Sequence, residues 1–114
     1  MDKEPKDDKT LIEYMIKSIQ LIKQYTNGIK EEEFINNTEK QDAVIRELTV
    51  IGEAAKNVSN SFKAKNGFIE WKELAAVRDV VVHQYFRINV KEIWNIIHKD
   101  LPSLEEKLKR LLSI

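Results

Sequence analysis

Residues 78–86 read RDVVVHQYF and hold the side chains of this sequence that are best suited to chemistry. Arg78 offers a planar guanidinium that grips phosphate, and His83 offers an imidazole, whose ordinary pKa near ~6.5 lets it accept or donate a proton. Together they suit metal-independent RNA cleavage, in which a ribose 2′-OH attacks the adjacent phosphate. A lone histidine near a helix end is more often structural, so the rest of the chain has to decide between the two interpretations.

The spacing of these residues restricts how they could cooperate. On an ideal helix Arg78 and His83 point roughly 140° apart, whereas Arg78 and Tyr85 lie within roughly 20° of one another. Asp79 shares a face with His83, so its carboxylate could hold the imidazole and favour the charged form. Two copies meeting about a two-fold axis could join Arg78 of one to His83 of the other, and a kinked or frayed helix end at His83 would serve equally.

Other kinds of active site find little support in the sequence. His98 is the only other histidine, and Asp79 with His83 supplies just two metal-ligand groups, so we predict neither a metal nor a cofactor. There is no cysteine, which excludes thiolate nucleophiles and disulfides. No glycine-rich phosphate loop and no Ser-His-Asp set suited to acyl transfer stands out.

Composition points to one small domain that does not attract nucleic acid through its overall charge. The chain has 114 residues, and its 19 Lys and Arg balance its 19 Asp and Glu. Any RNA contact must therefore be local, and Arg87 and Lys91, just past the motif, are the expected phosphate contacts. We predict that residues 1–9, MDKEPKDDK, are a disordered charged leader and that residues 10–114 form the domain. Without a signal peptide or membrane segment, a cytoplasmic protein is expected.

Four amphipathic segments are predicted to be helices. The first begins at Thr10 and stops at Asn27-Gly28; the second begins at a capping box of Thr38 and Gln41 and closes at Asn66-Gly67. Their apolar stripes contain, in order, Ile12, Met15, Ile16, Ile19 and Ile22, and then Val44, Leu48, Ile51, Ala55, Val58 and Phe62.

The third and fourth helices differ in character. The third, from Trp71 to Phe86, is apolar on more than one face, so it is either central or shared with a second copy of the chain. The fourth is capped by Asn89 and holds Pro102, which predicts a kink near Asp100 with the apolar stripe continuing beyond it. This stripe contains Ile93, Ile97, Leu101, Leu104, Leu108 and Leu111. Nothing reads as a strand. The predicted fold is all-α, an up-and-down bundle of four to five helices with the last helix kinked at a proline.

Three stretches together resemble a known family. Arg78, His83 and Tyr85 fit an R-x4-H-x-Y signature. The stretch QDAVIRELTVIGEAAKNVS, residues 41–59, is similar to the second long helix of the same family, and IEWKELAAVRD, HQYF and a helix with Leu101-Pro102 follow in the family's order. On these residues the chain resembles the HepT-like toxins of the HEPN superfamily, from about Leu11 to Leu112. The resemblance implies a HEPN-like helical domain and an endoribonuclease toxin.

The resemblance also assigns roles to residues. Arg78 and His83 correspond to the catalytic pair, and Tyr85 to the tyrosine that a partner, the minimal nucleotidyltransferase antitoxin, modifies with AMP to silence the toxin. Asp79 stands where many relatives have asparagine and is expected to support the site. Trp71 and Trp94 lie on apolar stripes and are predicted to be core residues.

Two functions of different class follow from these observations. The first is a metal-independent endoribonuclease toxin with RNA as substrate and a composite site in a homodimer. The second is a non-catalytic module that presents Arg78, Asp79 and Tyr85 to a nucleotide or to a nucleotidyltransferase. The balanced charge of the chain favours the second, and the intact Arg78 and His83 favour the first.

Overall fold

The computed structural model describes residues 7–83 and 89–113, with the backbone alone at 78–83, and all regular secondary structure in these ranges is helical. The predicted all-α bundle is confirmed. The helices in chain order are α1 (Asp8–Thr26), α2 (Glu31–Ile35), α3 (Thr38–Asn57), α4 (Asn60–Lys65), α5 (Trp71–His83), α6 (Val90–Asn95), a π-helical segment (Ile96–Asp100) and α7 (Leu101–Leu112).

Helix α1 begins earlier than the sequence pattern indicated. Its N-cap is Asp7, whose carboxylate accepts a hydrogen bond from the Thr10 N–H at 2.7 Å. Asp7 and Asp8 fall inside the predicted leader, yet Asp7 caps α1 and Asp8 is its first residue; residues 1–6 lie outside the described ranges. The helix ends as predicted at Asn27-Gly28, where Gly28 has a φ of +77°, a left-handed conformation that favours glycine.

The predicted second helix is in fact two helices. It was expected to continue to Asn66-Gly67, but α3 ends at Asn57 and α4 starts after Ser59. The Ser59 hydroxyl caps α4 by accepting from the Phe62 N–H at 3.3 Å. The Ser59 N–H and hydroxyl also donate to the carboxylate of Asp8, at 2.8 and 2.7 Å. These hydrogen bonds satisfy backbone polar groups at the break between α3 and α4. The apolar stripe continues across this break, so the stripe alone does not reveal it.

The start of α3 also differs in detail from the predicted capping box. Asn37 is the N-cap, and its side chain accepts from the Lys40 N–H at 3.0 Å. Gln41 does not bond back to Thr38 as expected; its amide donates to the carbonyls of Phe34 and Ile35, each at 2.9 Å. The prediction placed the helix start correctly but gave the capping role to the wrong residues.

The core is built around α3, which packs against both α1 and α5, while α7 packs against α1. Among the described residues, α3 therefore holds the central place that the sequence suggested for the third helix. The predicted stripes supply most of the core, and Phe34 of α2, which lies on none of them, adds to it. The largest fully buried side chains are Phe34, Ile12, Met15, Ile19, Ile22, Leu48, Ile51, Leu108 and Val44.

Pro102 is accommodated by a change of helix type. The chain passes without a break from α6 through the π-helical segment into α7, and the Leu101 N–H bonds to the Ile96 carbonyl five residues back. Because proline has no N–H and crowds the preceding turn, the wider π-helical turn lets the helix continue past it. The predicted disturbance near Asp100 is thus present, and the apolar stripe continues beyond it through Leu101 and Leu108.

A buried carboxylate joins α7 to α1. Glu105 is 6% exposed, and its Oε1 accepts a hydrogen bond from the Lys23 Nζ at 3.0 Å, while the Lys109 Nζ lies 3.4 Å from Oε2. Burial raises the pKa of Glu105, but the hydrogen bond and charge of Lys23, helped by Lys109, outweigh it and leave the pKa below its ordinary value. The ionised form of Glu105 therefore stabilises the fold.

We expect Lys23→Met to lower the free energy of unfolding at pH 7 by about 1–3 kcal/mol, because it removes the main partner of a buried acceptor. Since the pKa of Glu105 is lowered in the folded state, this stabilisation is present above the ordinary value of 4.5 and is lost as the pH falls through the folded value. Urea denaturation at pH 7 and at a series of acidic pH values below 4.5 measures both effects. Lys17→Met, at an exposed position of the same helix, is the control. If the difference in the free energy of unfolding between the wild-type chain and Lys23→Met is as large in acid as at pH 7, the stabilisation does not come from the charge of Glu105.

Candidate active site

The backbone of α5 carries three of the predicted site residues. Arg78, Asp79 and His83 all fall within Trp71–His83, in the second half of the helix. Their five-residue and four-residue spacings therefore apply on a helical backbone, which keeps the positions of Arg78 and His83 roughly 140° apart and those of Asp79 and His83 on one face. The side chains of residues 78–83 are not described, so the roles of these residues stay predictions.

The other predicted site residues follow α5. Tyr85 and Arg87 lie outside the described ranges. Lys91 is exposed in the first turn of α6, which begins after Asn89; the Asn89 side chain accepts from the Glu92 N–H at 3.0 Å, as the sequence predicted. The ammonium group of Lys91 is therefore open to solvent, two residues after the connection between α5 and α6 ends.

The start of α5 is fixed firmly to the body of the bundle. The Trp71 indole N–H donates to the Asn66 carbonyl at 3.0 Å, and its ring meets that of Phe62 edge-on, with ring centres 6.2 Å apart. Trp71 is buried, as predicted for a core residue. These contacts and the packing against α3 hold the helix on which the motif is placed.

The α3 stretch that contributed to the family resemblance lies beside this helix. Gly52 is buried and Glu53 is half-buried. Ala54 and Ala55 are also buried. Small buried residues let helix backbones approach closely, which suits α3, a helix packed between α1 and α5.

The second histidine lies apart from the motif in an aromatic stack. His98 is exposed on the π-helical segment, with its ring 4.1 Å from that of half-buried Trp94, and Trp94 packs on Phe34 with ring centres 5.4 Å apart. Trp94 thus has neighbours on both sides, consistent with its predicted place in the core. Among the described side chains, which belong to residues 7–77 and 89–113, no three His, Asp or Glu groups come together as metal ligands.

A groove beside the motif was not foreseen from the sequence. It has a volume of about 550 Å³, lies between α5 and the run formed by α6, the π-helical segment and α7, and reaches Val77, the residue before Arg78. The apolar stripe of the second predicted helix had identified two residues of its base, Leu48 and Ile51, as core. No signal in the sequence marks the groove, because the acidic residues on the α5 side of its rim, Glu70 and Glu73, look like ordinary surface residues until the helices are placed.

Comparison with known proteins places these features in a family. Residues 15–111 match the sequence model of the family described as HepT-like, Ribonuclease HepT-like. The chain is 40% identical over 103 residues to "Probable ribonuclease HepT" of Thermococcus cleftensis, which covers 90% of this chain and 94% of the relative. It is 37% identical over 107 residues to "Gamma-glutamylcyclotransferase and putative RNase MJ0434" of Methanocaldococcus jannaschii, covering 94% of this chain but only 48% of that longer relative. No solved structure matches the chain.

Proposed function

Since the chain belongs to the HepT-like ribonuclease family, we propose that it is an endoribonuclease that cuts RNA without a metal through Arg78 and His83. The observation that carries the proposal is the family's R-x4-H-x-Y signature, whose Arg78 and His83 lie on α5, in a chain whose family match spans residues 15–111. Both residue types suit the transfer of a phosphoryl group to a neighbouring hydroxyl.

The proposed reaction needs only groups of the protein and of the RNA. The ribose 2′-oxygen forms a bond to the adjacent phosphorus as its proton leaves, and the bond from phosphorus to the 5′-oxygen of the next nucleotide breaks as that oxygen takes up a proton. The products are a 2′,3′-cyclic phosphate and a 5′-hydroxyl. His83 accepts the proton of the 2′-OH or donates one to the departing 5′-oxygen, and Arg78 stabilises the extra negative charge on the phosphorane. Arg87 and the exposed Lys91 hold the flanking phosphates.

The proposed site is shared between two chains. Because the positions of Arg78 and His83 lie roughly 140° apart on α5, one chain aims them in different directions. A two-fold axis along this helix would bring Arg78 of one copy towards His83 of the other. The homodimer interface should bury on the order of 1,200–2,000 Å² or more.

The proposed regulator is a nucleotidyltransferase antitoxin that transfers AMP to Tyr85. Tyr85 is seven residues from Arg78, so on a helix that continued to it the two would lie within roughly 20° of one another. A phosphodiester there would occupy the guanidinium and repel incoming RNA phosphates. The second candidate, a non-catalytic module that binds a nucleotide or this partner, is favoured by the balanced charge of the chain, 19 positive against 19 negative residues.

The decisive experiment incubates the purified chain with a single-stranded RNA in excess EDTA. We expect cleavage to continue and the products to carry 2′,3′-cyclic phosphate, detected by mass spectrometry, because the RNA supplies its own nucleophile. The same oligonucleotide with 2′-O-methyl riboses is the matched control and should stay intact. A chain that binds RNA or nucleotide but cuts nothing would support the non-catalytic module instead.

A further inference from the structure

The groove beside the motif is lined at its base by the core itself. Its walls rise from α5 on one side and from α6, the π-helical segment and α7 on the other, with half-buried Ile96 and Leu104 on the second wall. An open channel between helices with an apolar base matches the shape and chemistry that receive an amphipathic helix. The base is formed by the buried side chains Leu48, Ile51, Ile69, Leu74 and Leu101.

The rim of the groove is acidic although the whole chain is neutral. On the α5 side the charged side chains are Glu70 and Glu73, both exposed. The opposite side is mixed. It carries the carboxylates of Glu92 and Asp100 and the ammonium groups of Lys99 and Lys107. The whole rim therefore carries four carboxylates and two ammonium groups, and its α5 side carries negative charge alone.

The two acidic residues on the α5 side crowd one another. A hydrogen bond between the carboxyl groups of Glu70 and Glu73, then their mutual repulsion, and then partial loss of solvent raise the pKa of Glu73. Two neighbouring carboxylates that disfavour each other's charge are relieved when a cation binds between them. Lys or Arg on a partner would provide that cation.

The charged side chains that line the groove are exposed, except for half-buried Lys107. The polar groups of the groove stand on its rim rather than converging inside it, which fits a polypeptide better than a small polar ligand.

We propose that this groove, named here the acidic groove, is the docking site for a protein partner that lays the apolar face of a cationic amphipathic helix into it. Leucine-like side chains of the partner would cover the apolar base, and its Lys or Arg would pair with Glu70 and Glu73. The rim charges disfavour RNA, whose phosphates the four carboxylates repel. A docked partner would reach Val77 and so lie directly beside the position of Arg78.

The test measures binding of a fluorescent helical peptide of about 18 residues, five turns, built from Leu and Lys with the leucines on one face. By fluorescence anisotropy at physiological salt, the full chain should bind it at least about tenfold more tightly than the same peptide with Glu in place of Lys. The double variant Glu70→Lys with Glu73→Lys should weaken binding of the Lys peptide at least about tenfold.

A matched charge reversal separates the groove from general attraction. Glu39 and Asp42 are also exposed, are three residues apart and lie near the start of a helix, α3, outside the groove. The double variant Glu39→Lys with Asp42→Lys should bind the Lys peptide with an affinity within about twofold of that of the wild-type chain. Absence of binding or equal weakening in both double variants would each overturn the proposal. So would a change of oligomeric state in Glu70→Lys with Glu73→Lys, since that would make a second copy of the chain the occupant. The assay contains no RNA cleavage step, so its result is independent of the proposed ribonuclease activity.

Discussion

Replacing His83 by alanine is expected to reduce RNA cleavage by a factor of about 10²–10⁴, the usual contribution of general acid–base catalysis. The imidazole is proposed to take or give a proton at the scissile phosphate, and alanine leaves nothing to replace it. Cleavage of a labelled RNA under single-turnover conditions measures the loss. His98→Ala is the matched control, because it removes the only other histidine, which is exposed and stacked on Trp94.

Arg78→Ala should reduce the rate of RNA cleavage by a similar factor. Arg78→Lys should retain only part of the wild-type rate, because an ammonium group keeps the charge but lacks the planar guanidinium that matches phosphate. Arg46→Ala, at an exposed position of α3, should leave the rate unchanged. Circular dichroism should show equal helix content in all variants. A His83→Ala variant that cuts as fast as the wild-type chain would contradict the catalytic assignment.

The proposed shared site also predicts the activity of a mixture of the Arg78→Ala and His83→Ala chains. If Arg78 of one copy works with His83 of the other, a heterodimer of Arg78→Ala and His83→Ala chains has one intact site and one site that lacks both groups. Random pairing makes half of the dimers heterodimers, so the mixture should regain about one quarter of the wild-type activity. A mixture as inactive as its components would place both groups in one chain and reject the shared site.

The helices could be predicted from the sequence because apolar periodicity determines which faces are buried. Ile12, Met15 and Ile19 of α1 and Ile93, Ile97 and Leu101 of the last helical run were identified by spacing and are buried. Periodicity does not reveal where backbone hydrogen bonds change partner. The break at Ser59 depends on the carboxylate of Asp8, 51 residues away, and the start of α1 depends on the side chain of Asp7. The polar residues that determine these two features had been interpreted as part of a leader or of a helix surface.

The candidate site was less predictable than the fold for a different physical reason. A catalytic pair is recognised by the types and spacing of its residues, so Arg78 and His83 could be selected without a structure. A groove is made by residues far apart in the chain, and its base is indistinguishable from ordinary core in the sequence: Leu48 and Leu101 were both assigned to apolar stripes. The acidic residues on its rim acquire meaning only when α5 and α7 are placed opposite each other.

Tyr85→Phe is expected to keep most of the ribonuclease activity and to escape silencing by the nucleotidyltransferase antitoxin completely. The change removes only the hydroxyl oxygen that would accept AMP and keeps the aromatic ring. The proposed cleavage chemistry uses Arg78 and His83 and does not need that hydroxyl. Modification of the wild-type chain, in contrast, would add a phosphodiester close to the guanidinium that the RNA backbone has to reach, so that the bound nucleotide competes with the substrate inside the site.

Co-expression with a candidate nucleotidyltransferase, followed by intact-mass spectrometry, tests this expectation. The wild-type chain should gain the mass of one or more AMP units and lose its RNA cleavage, whereas Tyr85→Phe should gain none and remain active. Tyr14→Phe is the matched control: Tyr14 is 42% exposed on α1, so it is open to modification, and its loss should not prevent silencing. If Tyr85→Phe is still modified and silenced while Tyr14→Phe is not, the regulatory tyrosine lies on α1, and the silencing AMP has to act from there rather than by competing for Arg78.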